Sequence, residues 1–241
     1  MMLFRASQIR DPARGHPPGF RQLLEEFAEA IGHPGFPCMF AGRALARDEI
    51  LFAWVPGTAD PLDEFLEAFQ ATAAAVRQHP DQVVVIFAES SHASLDSERE
   101  FAVTLLRHLR EHDRTPWPAD QPTDPADPQW IFWFEGVDFF INFSTPGHRH
   151  RRSRNVGSAF TVITQSRSSF DSFVEPGDRV RAVIRERVGD YDTVPVHPAL
   201  GTFGDPDNRE ALQFFLGESN ECPVELLSHS DVKRLGRHSN D

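Results

Sequence analysis

Apolar side chains recur along this chain with two different periods, and each period predicts one kind of secondary structure. Residues 18–31, 61–76, 95–112 and 180–188 carry apolar positions at helical spacing, with polar side chains between them. This pattern is typical of amphipathic helices that cover a core with one face. Pro61 suits the first turn of its helix because the missing N–H has no partner there.

Short apolar runs predict strands. Residues 50–55 and 83–87 are apolar on both faces, and the second run is rich in β-branched side chains, which favours a central strand. The aromatic runs 130–135 and 137–143 are predicted to form a tight hairpin, and another strand is expected near 159–164. We therefore predict an α+β fold, a single domain with a mixed, largely antiparallel sheet flanked by amphipathic helices.

The remaining segments set the predicted domain limits. Residues 1–17 are expected to be an N-terminal lead segment, residues 18–228 the folded domain, and residues 229–241 a polar C-terminal tail. Five prolines make residues 115–129 a loop, whose length is typical of a lid or a domain junction. Prolines and glycines after residue 191 predict a structured loop.

Composition and charge exclude some classes of function. The 241 residues are long enough for a sizeable core, and a formal net charge of −12 disfavours binding to nucleic acid. A cationic substrate is electrostatically compatible with this charge. The chain shows no signal-peptide pattern and no run of about 20 apolar residues, so we expect a cytoplasmic protein without a membrane partner. With only Cys38 and Cys222, neither a disulfide framework nor a Cys-x-x-Cys zinc pattern is present.

Two separated segments carry residues that suit a cofactor site. Cys38 follows Pro37, which stiffens the chain, and a thiolate is one of the axial ligands that haem iron takes. His148 is an alternative imidazole ligand, and the neighbouring Arg151, Arg152 and Arg154 suit propionates or a substrate carboxylate. The residues alone also allow a buried structural cysteine and a solvated basic loop.

Other polar positions give weaker signals. His148 and His150 have a spacing that can converge on one metal ion. The carboxylates of Glu89 and Glu135 stand at or near strand ends, where they could hold a cationic substrate or simply be solvated. The chain contains no Gly-x-Gly-x-x-Gly, Walker, Gly-x-Ser-x-Gly or His-Glu-x-x-His pattern, so common nucleotide and hydrolase sites are disfavoured.

In combination, these motifs resemble the YqcI/YcgG family. The resemblance is carried by Phe36-Pro37-Cys38, by a Pro-x-His-x-x-Arg-x-Ser-Arg-Asn pattern over 146–155, and by the aromatic strand 130–134. Residues 184–192 and the Gly-Thr-Phe-Gly-Asp motif at 201–205 look like the family's C-terminal part. The motifs stand in the expected order over roughly residues 22–220.

The resemblance implies a haem-dependent N-oxygenase, a monooxygenase that hydroxylates an amine or guanidine nitrogen of a small amino-acid-like substrate. The implied requirements are haem b, O2 and an external reductant or electron donor. Carried over to this chain, Cys38 is the first choice for the axial ligand and His148 the alternative. Arg151, Arg152 and Arg154 would hold propionates or a carboxylate, and the loop at 115–129 would close over the pocket.

Two other functions stay open on the sequence. One is a non-catalytic haem-binding carrier or sensor that uses the same pocket. The other is a protein without haem, in which His148 and His150 bind a metal ion or nothing binds. The sequence identifies neither the nitrogen substrate nor the oligomeric state.

Overall fold

One six-stranded sheet organises the chain. The structure is a computed structural model, and it describes residues 1–57, 61–89, 94–174 and 178–220. The strands are β1 (Phe4–Arg5), β2 (Ile50–Val55), β3 (Val83–Ala88), β4 (Phe132–Phe134), β5 (Val137–Ser144) and β6 (Phe160–Ser166). The α-helices of the described residues are α1 (Ala6–Arg10), α2 (Pro18–Gly32), α3 (Ala41–Ala46), α4 (Pro61–Gln78), α5 (Leu95–Glu111), α6 (Arg167–Val174), α7 (Asp178–Tyr191) and α8 (Glu210–Phe214).

The strand order is β1-β2-β3-β6-β5-β4, and only the β2–β3 pair is parallel. This confirms the predicted mixed, largely antiparallel sheet. The parallel pair is connected across the long helix α4, as a parallel connection requires. Val55, Ala88 and Phe160 lie in register at one end of the strands, and Ser144 lies opposite Thr161 at the same end. We call this end of the sheet the upper edge.

Helices cover both faces of the sheet, because alternate side chains of each strand point to opposite faces. On one face, Phe52 and Phe87 pack with α1 and α2. On the other, Ala53 and Ile86 pack with α4, α5 and α8. Strand β3 has apolar residues buried on both faces, which confirms its predicted central position.

The first 17 residues belong to the folded structure rather than leading into it. Strand β1 pairs with β2, and Ala6 and Ile9 of α1 are buried in the same core cluster as α2. These elements are too short to show a hydrophobic period, which is why the sequence pattern did not predict them. The tail predicted at 229–241, and Cys222, lie outside the described residues.

Two short helices complete the fold. Helix α3 lies between Cys38 and β2. The structured loop predicted after residue 191 contains helix α8, which places Phe214 and Phe215 in the core. The Pro-rich segment 115–129 has no helix or strand, as predicted. Its Trp117 ring stacks on Trp130 with the ring centroids 6.2 Å apart, which attaches the segment to the core.

Candidate functional site

The turn that carries Cys38 is held from outside by helix α7. We call residues 33–40 the thiol loop. Arg187 of α7 donates hydrogen bonds to the carbonyl oxygens of Pro34 and Phe36, at 2.9 and 2.7 Å. The Phe36 ring is buried below the loop, whereas Cys38 is exposed and free. The loop therefore holds a free cysteine on a fixed backbone.

Two opposing influences act on the pKa of the Cys38 thiol. Surrounding protein atoms remove part of its hydration and raise the pKa of the Cys38 thiol, although the residue as a whole is exposed. Backbone N–H groups of Phe40 and Ala41 and the charge of Arg187 act against this rise, because each of them stabilises the thiolate. A metal ion that binds the sulfur would complete this stabilisation by displacing the proton.

Tyr191, at the end of α7, brings the two predicted site segments together. We call residues 148–154 the basic segment. The Tyr191 ring makes edge contacts with His33 and Phe36 of the thiol loop, with centroids 5.4 and 5.8 Å apart. The Arg152 guanidinium lies over the same ring at 4.5 Å from its centroid. The two segments are far apart in the sequence, yet both contact the same aromatic ring.

His148 is buried and both of its ring nitrogens are used by the protein. Nε2 lies 2.7 Å from the carbonyl oxygen of Leu216 and Nδ1 lies 3.0 Å from Oγ1 of Thr145. A carbonyl only accepts, so Nε2 carries the proton and Nδ1 accepts from the hydroxyl. Burial lowers the pKa of His148 to about 4, which keeps the ring neutral. A role as axial ligand would require breaking one of these two hydrogen bonds.

The three arginines of the basic segment have different environments. Arg151 is buried and donates to the carbonyl oxygen of Gly217 at 2.7 Å and to Oδ1 of Asn220 at 2.8 Å. Arg152 is exposed against Tyr191. Arg154 is buried, and its Nη1 has no hydrogen-bond partner. Among the buried arginines of the described residues, only Arg154 has no carboxylate within ion-pair distance.

The predicted carboxylates fall at opposite ends of the sheet. Glu89 follows β3 at the upper edge, where it is exposed and its carboxylate lies against Gly57. Glu135 lies in the β4–β5 turn at the other end, away from Ser144 and the basic segment that follows it. The structure thus places Glu89, but not Glu135, at the edge from which the basic segment starts.

Three residues near the basic segment did not stand out in the sequence. Asp192 accepts hydrogen bonds from the backbone N–H and the hydroxyl of Ser153, at 2.7 and 2.9 Å. His197 is buried, and burial lowers its pKa to about 4. Glu98, in the first turn of α5, is buried with its carboxylate against Gly147. Asp192 follows Tyr191 in one of the motifs that carry the family resemblance, and this was the only sequence signal for the three residues. Glu98 lies within a helical pattern and His197 within a proline-rich loop, and neither pattern singles out a functional residue.

Metal ligation by protein side chains alone finds no support in the described part of the chain. No group of three or more His, Cys, Asp or Glu side chains is arranged there to hold a metal ion. His150 is exposed and its Nδ1 lies 3.1 Å from Oγ1 of Thr193, away from the buried His148 ring. Within the same residues, no helix combines the length and the apolar character needed to cross a membrane.

Comparisons with known proteins agree with the motif pattern. The profile of the YqcI/YcgG family matches residues 27–225. A Streptomyces lavendulae protein, provisionally named N(omega)-hydroxy-L-arginine synthase DcsA, is 32% identical over 238 residues, which cover 92% of this chain and 88% of that protein. The uncharacterized Bacillus subtilis protein YcgG is 33% identical over 226 residues, covering 87% and 89%. No solved structure is detectably similar to this chain.

Proposed function

The chain belongs to the YqcI/YcgG family, and from this premise we propose that it is a haem-dependent monooxygenase that hydroxylates an amine or guanidine nitrogen of a small amino-acid-like substrate. The name of the Streptomyces relative, which describes hydroxylation of an arginine nitrogen, supports N-oxygenation. The observation that carries the proposal is the free cysteine Cys38, an exposed residue held on a fixed loop beside the basic segment.

The residues of the thiol loop fit a haem group. Cys38 offers a soft thiolate ligand, and Arg187 lies close enough to stabilise its negative charge. Met39 and Phe40, directly after it, are 45% and 46% exposed, which is unusual for large apolar side chains that follow one another. A flat apolar group seated on the thiol would cover them. His148 fits less well, because Leu216 and Thr145 already use both ring nitrogens.

When bound, haem would supply the iron chemistry that combines O2, two electrons from an external reductant and two protons to give one N–OH group and one water. The chain's own residues would position the reactants. Arg187 and the backbone N–H groups of Phe40 and Ala41 favour the thiolate at Cys38. Buried side chains such as Phe36, together with Tyr191, exclude water from the base of the loop. The cationic nitrogen end of a substrate would be attracted by the overall negative charge.

Absorption spectra of the haem-reconstituted protein, reduced and exposed to carbon monoxide, test the ligand. The wild type should show the strongly red-shifted Soret band that thiolate ligation gives, and Cys38→Ser should lose that shift. Cys222→Ser is the matched control, since it removes the only other thiol in the chain. His148→Gln should keep the shifted band.

Loss of the haem spectrum in His148→Gln but not in Cys38→Ser would contradict the thiolate assignment. Failure of the wild type to take up haem specifically would contradict haem dependence altogether. Turnover is then tested by oxygen uptake with a reductant and L-arginine or related guanidines and amines, with mass spectrometry for a product that has gained one oxygen atom. Haem binding without substrate-dependent oxygen uptake would favour the carrier or sensor instead.

A further inference from the structure

Arg154 differs from the other buried arginines of the described chain. Arg110 forms an ion pair with Asp113, and Arg167 forms one with Glu210 at 2.8 Å. Arg151 has the carbonyl and amide acceptors given above. Arg154 is 5% exposed, its buried Nη1 has no hydrogen-bond partner, and no carboxylate of the described residues lies within ion-pair distance of its side chain. A buried charge without a partner is costly, so folds retain it where something else binds it.

Its neighbours do not compensate the charge. Asp192 is the carboxylate that acts on Arg154, but Ser153 occupies both of its oxygens and Arg151 approaches it at 3.7 Å. Burial and the like charge of Arg151 lower the pKa of Arg154 to about 10, so the guanidinium is charged at neutral pH.

The two buried imidazoles beside Arg154 add no negative charge. His148 is neutral, and its ring is committed to Thr145 and Leu216. His197 is also neutral, and its Nδ1 accepts from the backbone N–H of Ala199 at 3.1 Å. Neither ring is therefore available to neutralise the guanidinium.

The backbone around Arg154 is fixed before any ligand arrives. Its carbonyl oxygen accepts from the N–H of Thr145 at 2.9 Å, and its own N–H donates to the carbonyl oxygen of Arg151 at 2.8 Å. The bond from Thr145 attaches the end of the basic segment to the end of β5 at the upper edge. The buried side chain extends from this fixed backbone, and its planar guanidinium favours an acceptor with matching planar geometry.

We propose that Arg154 is the receptor for a carboxylate, and that this carboxylate belongs to the amino-acid substrate. The proposal rests on the proposed function for the identity of the substrate, but not for the binding of a carboxylate. A guanidinium binds a carboxylate through two parallel hydrogen bonds, whereas an amine or a neutral amide gives it no negative charge. A haem propionate offers the same chemistry, and the experiment separates the two sources.

Isothermal titration of the full-length protein with L-arginine and with agmatine, its decarboxylated analogue, tests the proposal, with Arg154→Gln beside the wild type. The wild type should prefer L-arginine by about 10- to 100-fold, the range expected for a charge-assisted pair, and Arg154→Gln should lose that preference. Arg154→Lys keeps the charge but not the paired donors, and should show an intermediate preference. Arg149→Gln is the matched control, because Arg149 is an exposed arginine of the same segment.

A haem titration of the same variants distinguishes the source. Weaker haem binding in Arg154→Gln, with the arginine preference unchanged, would assign the carboxylate to a propionate and overturn the substrate assignment. If Arg154→Gln binds haem and L-arginine as Arg149→Gln does, or if the wild type binds neither, the proposal that Arg154 is a carboxylate receptor is wrong. The loss of the preference for L-arginine in Arg154→Gln can be measured even if the wild type consumes no oxygen. A failure of the oxygenase proposal is therefore distinguished from a failure of the carboxylate receptor.

Ligand-free stability separates a receptor from a structural arginine. Arg154→Met replaces an unpaired buried charge with an apolar side chain of similar length, so its unfolding midpoint in urea should equal or exceed that of the wild type. A markedly lower midpoint would show that Arg154 contributes to folding through a contact of its own, and would count against the receptor.

Discussion

Single residues of the basic segment show how burial decides the protonation state. His148 lies among apolar and cationic groups, so burial lowers its pKa far more than the carbonyl of Leu216 raises it. In the unfolded chain the same ring would titrate near its ordinary value of 6.5. Above that pH the imidazole is neutral in both the folded and the unfolded state, so keeping it neutral costs no folding free energy. Below that pH the unfolded chain protonates the ring whereas the folded state keeps it neutral, and the free energy of unfolding falls.

We therefore predict acid destabilisation that depends on His148. As the pH falls from about 6.5 to about 4, the unfolded state binds a proton that the folded state refuses. Up to about 3 kcal/mol of folding free energy should be lost over this range for this one group. In His148→Gln, urea unfolding at a series of pH values should show a correspondingly shallower loss, although the variant is less stable at pH 8.

His197, with a similarly lowered pKa, should account for part of the remaining slope. The matched control is His79→Gln, which removes an exposed histidine and should leave the pH dependence of the wild type unchanged. A slope in His148→Gln as steep as that of the wild type would mean that the buried imidazole is not the group that titrates.

At the scale of elements, the long periodic helices and the apolar strands could be predicted, and the short helices could not. Strand β2 was predicted at its observed limits and α2 to within one residue. Helices α1, α3 and α8 have five or six residues, too few turns for a hydrophobic period to show.

The candidate site could be predicted in part for a similar reason. Residue type identified Cys38 and the basic segment. It could not distinguish Arg151 and Arg154, which are buried, from the exposed Arg152, because that difference is made by α7 and by residues 216–220, which are distant in sequence. The contribution of Tyr191 to joining the two segments depends on tertiary structure in the same way.

The β4–β5 hairpin gives a prediction at this scale. Glu135 and Gly136 have φ angles of 49° and 73°, both in the left-handed region that a two-residue type I′ turn requires. Glycine adopts this conformation freely, whereas glutamate is strained in it. Glu135→Asn should stabilise the protein by up to about 1 kcal/mol, because asparagine tolerates the left-handed region. Urea unfolding measures the change.

The backbone contacts of the turn should survive this substitution. The N–H of Glu135 donates to Oδ1 of Asp113 at 3.0 Å and its carbonyl oxygen accepts from Arg77 at 2.6 Å. Glu135→Gln keeps the size and polarity of the side chain without relieving the strain, so it should leave stability unchanged. Equal effects of Asn and Gln at this position would show that φ is not the source of the gain.

At the scale of the whole molecule, one sheet separates two apolar clusters and shares its strands between them. Phe52 of β2 faces α1 and α2, and Phe139 of β5 faces α4 and α8. Because both clusters need the same sheet, neither can be lost while the other stays intact. We therefore predict a single cooperative unfolding transition for the chain.

Phe52→Ala and Phe139→Ala test this cooperativity from opposite faces. Each should lower the free energy of unfolding by about 3–5 kcal/mol, since each leaves a large cavity in a close-packed core. Far-UV circular dichroism and tryptophan fluorescence should shift together in both variants, because Trp54 and Trp130 report from the two faces. If an alanine variant does not fold, Phe52→Leu and Phe139→Leu replace the alanine variants in the same test.

Val183→Ala, at an exposed site on α7, is the control and should change stability by no more than about 0.5 kcal/mol. A second transition that moves only in the Phe52 variant would divide the chain into two units and contradict the single domain.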